Sequence, residues 1–265
     1  MELLAALQER GLQVSHSTLS SWRTGRRRPD AFRSLQTLSA LEEVLGLEAG
    51  ALTAHIVGRS PRIGSVPRQA DVDPVDAELL AALPASPLEN IRLLSLREEI
   101  FVDEALCISR IDTMVVLQCV KDGLDSFAVT RRSPHAADSS PVIEVHYGGS
   151  LLASHRHSGR LGTGYAIELS RRLSVGQTAV VALRTIFPAD YPAQRSHVTR
   201  AWSSIRELVN VFHFANAPEW IEEVERSGSR ARSRDSSPGP AGSLLQMKSK
   251  FGPGTISTRW GRLDD

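Results

Sequence analysis

The sequence predicts a chain in two parts, α-helical first and β-rich afterwards, and three observations carry that expectation. Up to about residue 57, apolar residues recur every three or four positions, the spacing of one helix face. Pro61, Pro67, Pro74, Pro84 and Pro87 then punctuate a stretch mixed with glycine and serine, which reads as an extended linker. Beyond about residue 91, short apolar alternations bounded by glycine turns replace the helical spacing. The expected layout is a helical domain over 1–57, a linker over 58–90 and an all-β domain over 91–265. Within the last, the Arg- and Ser-rich segment 226–242 reads as a disordered loop.

In chain order, Leu3, Leu4 and Leu7 form a stripe at helical spacing, and Gly11 is a plausible stop. Ser15 or Ser17 can accept from the orphan amides of a new helix. Leu19 and Trp22 share one face of that helix, with His16, Ser17, Ser20 and Ser21 largely on the other. Gly25 suits a helix C-terminus, and Pro29 prevents simple continuation. Arg23, Arg26, Arg27 and Arg28 supply guanidinium groups, whose fork of donors matches phosphate oxygens. Phe32, Leu35, Leu38, Leu41 and Leu45 then mark an amphipathic helix that ends at Gly46, with a shorter one from about Glu48 to Val57. Short helices with a sharp turn between two of them predict a helix-turn-helix bundle.

The run Ser17-Thr18-Leu19-Ser20-Ser21-Trp22 followed by Gly25-Arg26-Arg27-Arg28-Pro29 resembles the recognition helix and loop of XRE-type (lambda-repressor-like) transcriptional regulators of the actinobacterial kind. Ser34 to Leu47 resembles their later helices, so the helical likeness spans about residues 3 to 57. A looser likeness to the same regulators recurs near Phe251-Gly252-Pro253-Gly254 and Arg259-Trp260. That family carries one more helix ahead of the one at Glu2, which this chain is expected to lack. The resemblance implies that His16, Ser17 and Ser21 face base edges and that Ser20 and Arg23 lie nearer the backbone, while Arg26, Arg27 and Arg28 meet phosphate. It also implies double-stranded DNA as partner and a homodimer, since two-fold sites double the base contacts of one short helix.

A brief helix is expected at Asp76 to Leu83. In the β-rich part, Ala105 to Val120 reads as a strand, and Asp122-Gly123 as a hairpin turn into Phe127-Thr130. Val142 to Tyr147 alternates and stops at Gly148-Gly149-Ser150, again read as a hairpin. Tyr165 to Leu169, Thr178 to Phe187, Val198 to Ala215, Leu244 to Phe251 and Thr255 to Trp260 complete a set of roughly eight or nine strands. That count predicts a β-sandwich, with a closed barrel as the alternative.

A formal net charge of +1 over 265 residues excludes a polycation, so a nucleic-acid footprint has to be local. Arg10 to Arg33 is such a place, with six arginines opposed only by Asp30. No apolar run reaches transmembrane length and no signal peptide is visible, which points to the cytoplasm. Cys107 and Cys119 lack a C-x-x-C partner and read as core thiols. His135, His146, His155 and His157 lack the spacing of a metal site, and Gly159, Gly162 and Gly164 lack the order of a phosphate loop. No G-x-S-x-G elbow is present, so neither an enzyme nor a cofactor is expected. The expected function is a sequence-specific regulator whose β-domain senses a ligand, binds a protein or dimerises. The alternative is a protein-interaction adaptor with a degenerate helix-turn-helix, marked by exposed apolar surface around Leu3, Leu4 and Leu7.

Overall fold

A computed structural model describes residues 2–12, 14–24, 32–47, 52, 72–121, 123–227, 230–239 and 242–263. It divides into two compact units, Met1–Ile63 and Gly64–Asp265. The first contains α1 (Glu2–Glu9), α2 (His16–Arg23) and α3 (Phe32–Val44). Its core is Leu7, Leu38, Ala40 and Leu41, with Leu3, Leu12, Leu19, Trp22 and Leu52 packed against it. Leu7 is fully buried and Leu3 and Leu4 are half-buried, whereas Leu45 and Leu47 after α3 are exposed.

The second unit begins with α4 (Pro74–Ala82), which starts on the side chain of Asp73, and continues through thirteen described strands. These are β1 (Ile91–Val102), β2 (Ile108–Cys119), β3 (Leu124–Arg132), β4 (Val142–Tyr147), β5 (Gly149–Arg156), β6 (Gly162–Leu173) and β7 (Thr178–Ile186). After them come β8 (Ser196–Ala201), β9 (Ile205–Phe214), β10 (Trp220–Ser227), β11 (Arg230–Ser236), β12 (Ser243–Phe251) and β13 (Gly254–Gly261). They form a six-stranded sheet in the order β12-β9-β1-β2-β7-β4, a four-stranded sheet β11-β10-β13-β8 and a three-stranded sheet β3-β6-β5. The β1–β9 pair is parallel.

This architecture overturns the expected fold class. The described chain is mostly β, in three sheets, with four short α-helices. The helix-turn-helix bundle is not what those helices build. Such a bundle buries one face of the helix after the turn, but no residue of α2 is fully buried, and Leu19 and Trp22 are only half-buried against the core that α1 and α3 make. The two-layer sandwich and the closed barrel also give way. One face of the six-stranded sheet is covered by two smaller sheets side by side, and each sheet order is open. Its β2, β7 and β4 residues pack with Phe127, Tyr165, Ile167, Leu169 and Leu173 of the three-stranded sheet. Its β1, β9 and β12 residues pack with Ile221, Ile256 and Trp260 of the four-stranded sheet.

Two expected hairpins are corners between sheets. The chain crosses from the large sheet to the three-stranded one after β2, so β2 and β3 do not pair, and Asp122 of the expected turn lies outside the described residues. It crosses again at Gly148-Gly149, where β4 pairs with β7 and β5 with β6. A Cβ on Gly148, whose φ is +81°, would lie 2.0 Å from the Val180 carbonyl oxygen. Gly148→Ala is therefore expected to lower the unfolding free energy by more than about 1 kcal/mol, as read from urea denaturation midpoints. The expected disordered loop 226–242 instead contains β11, which pairs with β10 from Ile221–Ser236 to Ser227–Arg230. Cys119 is buried, Cys107 is half-buried, and both are free. Among the described residues, no helix is long and apolar enough to cross a membrane.

Candidate functional site

The sequence-derived site lies on α2 and the residues after it. Ser15 caps the helix: its Oγ accepts from the Thr18 amide at 3.1 Å and lies 2.8 Å from both the Ser17 and Thr18 hydroxyls. His16, Ser17 and Arg23 are exposed, and Ser20 and Ser21 are half-buried. The first turn carries no acidic residue, which leaves its amide end open to an anion. The Ser21 hydroxyl donates to the Ser17 carbonyl oxygen at 2.7 Å. With its proton engaged there, Ser21 has only lone pairs to offer a base edge. α2 therefore brings His16, Ser17, Ser20, Ser21 and Arg23 onto one short helix, while Arg26, Arg27 and Arg28 lie outside the described residues.

A second polar constellation, not anticipated from the sequence, runs between the sheets of the other unit. Glu98 faces inward from β1 and is 4% exposed. Its carboxylate meets His197 Nε2 at 3.0 Å, with Arg131 Nη2, Thr113 Oγ1 and Thr199 Oγ1 each at 3.4 Å. Arg131 comes from the three-stranded sheet, and His197 and Thr199 from the four-stranded sheet. The cluster thus sits where the two small sheets meet over the large one. It continues through Asn210, which donates to Thr199 Oγ1 and Gln246 Oε1 at 2.9 Å, and through Gln246, which donates to Glu223 at 2.6 Å. Arg234 and Ser236 of β11 also donate to Glu223. From the edge, Arg132 of β3 and Arg200 of β8 both converge on the buried Asp76 of α4.

Burial alone would raise the pKa of Glu98. The charge and hydrogen bond of His197, the charge of Arg131 and the Thr199 hydroxyl outweigh it and hold the group at about 2. A carboxylate, an imidazole and a hydroxyl in contact invite comparison with a catalytic relay, but the geometry is wrong for one. Glu98 and Thr199 both approach Nε2 of His197, whereas a relay needs acid and nucleophile on opposite ring nitrogens. Glu98, His197 and Thr199 are also all buried, so no substrate atom reaches them. The cluster is a structural clasp. Its sequence signal was alternation: Glu98 shares an inward face with Ile100 and Val102, and His197 shares one with Thr199 and Ala201.

The opposite, outward face of the six-stranded sheet has a different character. Its middle row runs Leu245–Val211–Glu99–Asp112–Arg184–Glu144 across the six strands. Arg184 makes a two-point contact with Asp112 at 2.7 and 3.1 Å. That hydrogen bond and the nearby Arg110 hold the Asp112 carboxyl below the usual range, despite partial burial. Arg97 donates to Glu99 at 2.7 Å. Arg97, Glu99, Asp112, Met114, His146 and Arg184 line a shallow groove of about 310 Å³ there. No group of three or more His, Cys, Asp or Glu suited to a metal ion occurs among the described residues.

No protein-family profile matches the chain. No curated protein matches it either. One solved structure with a detectable likeness is a "putative protease" from Parabacteroides distasonis, at 8% identity and a TM-score of 0.38. The match covers 64% of this chain and 40% of that one, and so slight a likeness carries no functional argument.

Proposed function

We propose that the chain binds double-stranded DNA through α2 and the arginine run that follows it, with the β-rich unit as the dimerising or sensing half of a transcriptional regulator. One observation carries the reading: α2 is a capped helix that rests Leu19 and Trp22, half-buried, against the helical core and presents His16, Ser17 and Arg23 outward with no carboxylate in its first turn. Such a surface helix, continued in the chain by Arg26, Arg27 and Arg28, supplies amides, hydroxyls and guanidinium groups to a phosphate backbone. Affinity comes mainly from the arginines, since serine discriminates bases weakly.

The test is a duplex titration over a salt series with the full chain and its Arg26→Ala/Arg27→Ala/Arg28→Ala variant. Each phosphate contact contributes about 0.9 to the slope of log affinity against log salt, so the triple variant is expected to flatten that slope by about 2.7. Equal affinities and equal slopes for the two proteins would reject the reading. A protein-interaction adaptor is the second reading, favoured by the exposed Met114, Leu245 and Met247 on the outward sheet face. Of the stripe at Leu3, Leu4 and Leu7, Leu7 is fully buried and Leu3 and Leu4 are half-buried, so it offers only part of the apolar surface this reading expects.

A further inference from the structure

We infer that the outward face of the six-stranded sheet is a self-association surface whose occupant is a second copy of this chain. Three features of the face lead to this. Its apolar content is high for a surface: Leu245 is 62% exposed, Met247 65% and Met114 44%. Scattered apolar residues are ordinary on a surface, but these lie on one sheet face, with Val180, Ile186 and Val142 also exposed on it.

The second feature is charge. The face presents Arg97, Arg110 and Arg184 together with Glu99, Asp112, Glu144 and Glu207, so cations and anions are interspersed in adjacent register. A nucleic acid needs a basic surface, and a strongly basic or acidic protein needs an opposite field. An interspersed pattern of both signs fits a copy of itself. Rotation about a two-fold axis sets the same patch against itself, and cations can be brought over anions.

The third feature is size. Six strands about 4.8 Å apart, each rising about 3.3 Å per residue, make a face on the order of 800 Å². That matches the roughly 800 Å² each partner contributes to a standard interface. The groove lined by Arg97, Asp112, Met114 and Arg184 gives the face relief, so that side chains from the facing copy can interlock. This inference deepens the reading of the β-rich unit as a dimerising half, and it makes no use of α2.

The experiment is sedimentation equilibrium of the full chain from low to high micromolar concentration, alongside Met247→Asp, Met114→Arg and the control Leu263→Asp. Leu263 is 79% exposed and lies beyond the last strand, outside the face. The wild type is expected to dimerise, and each face variant to weaken dimerisation by about 30-fold or more, the effect of losing a strong interface contact. Melting temperatures measured at concentrations where the wild type is monomeric should stay unchanged, and Leu263→Asp should leave the dimer intact. If Met114→Arg compromises folding, Met247→Asp on edge strand β12 decides the outcome. A wild type that stays monomeric throughout, or a dimer untouched by a folded face variant, overturns the inference. The DNA titration reads the arginine run separately, so failure of one proposal is distinguishable from failure of the other.

Discussion

Glu98→Ala is expected to destabilise the β-rich unit by about 3–5 kcal/mol, the usual cost of removing one partner from a buried ion pair. The reason lies in what remains. Arg131 and His197 would keep their positions between the sheets without the carboxylate both address. Both are nearly buried, so water cannot replace it. Glu98→Gln keeps an acceptor and should cost less. Chemical denaturation monitored by tryptophan fluorescence ranks the three proteins. The same pair predicts a pH profile. The folded-state pKa of Glu98 is depressed, at about 2 against an ordinary value of 4.5. Its contribution is therefore fully present above the unfolded value and is lost as pH falls from there through about 2. Glu98→Gln should flatten stability across that window, and a wild-type slope that survives the substitution would contradict the assignment.

Trp260→Ala is expected to cost a further 3–5 kcal/mol or so, the range for truncating a large buried aromatic. Trp260 is 1% exposed. Its ring meets Phe212 and Phe214 edge-on, with centroids 5.7 and 5.6 Å apart, which locks the four-stranded sheet to β9. Its Nε1 donates to the Leu106 carbonyl oxygen at 2.9 Å, in the turn between β1 and β2. Trp260→Phe refills most of the volume but orphans that carbonyl, so it should recover much of the loss and leave a residue of about 1–3 kcal/mol. If alanine and phenylalanine prove equally harmful, ring packing is not the main contribution. Thermal unfolding of the two variants side by side decides this.

Much of the local structure was legible in the sequence, and the connections were not. Ser15 was a candidate cap and is the cap of α2. Val142–Tyr147 and Thr178–Phe187 were expected as strands and correspond to β4 and to β7, which ends one residue earlier. Period-two alternation shows which side chains share a face, but it does not say which strand lies alongside. For that reason Asp122-Gly123 and Gly148-Gly149 passed for hairpins: a glycine turn reports that the chain bends, not where it goes next. The long strand candidate Val198–Ala215 became two strands in different sheets, β8 and β9, separated by Trp202–Ser204. The clasp was hidden for the same reason. Glu98, Arg131 and His197 are far apart in sequence, and only the meeting of three sheets brings them together.

The parallel pairing of β1 with β9 has a consequence for how the chain is made. β1 emerges early in synthesis, yet one of its neighbours spans Ile205–Phe214 and the edge strand beyond that ends at Phe251. The first strand therefore has to wait for more than a hundred residues before its second flank is covered, and such long-range closure slows folding. Until β9 arrives, the β1–β2 hairpin has a bare flank of backbone donors and acceptors, the kind of edge on which nascent chains aggregate. Release of the chain before β12 would leave β9 as that edge. Expression yield should then depend more on an intact C-terminal segment than on any single core residue.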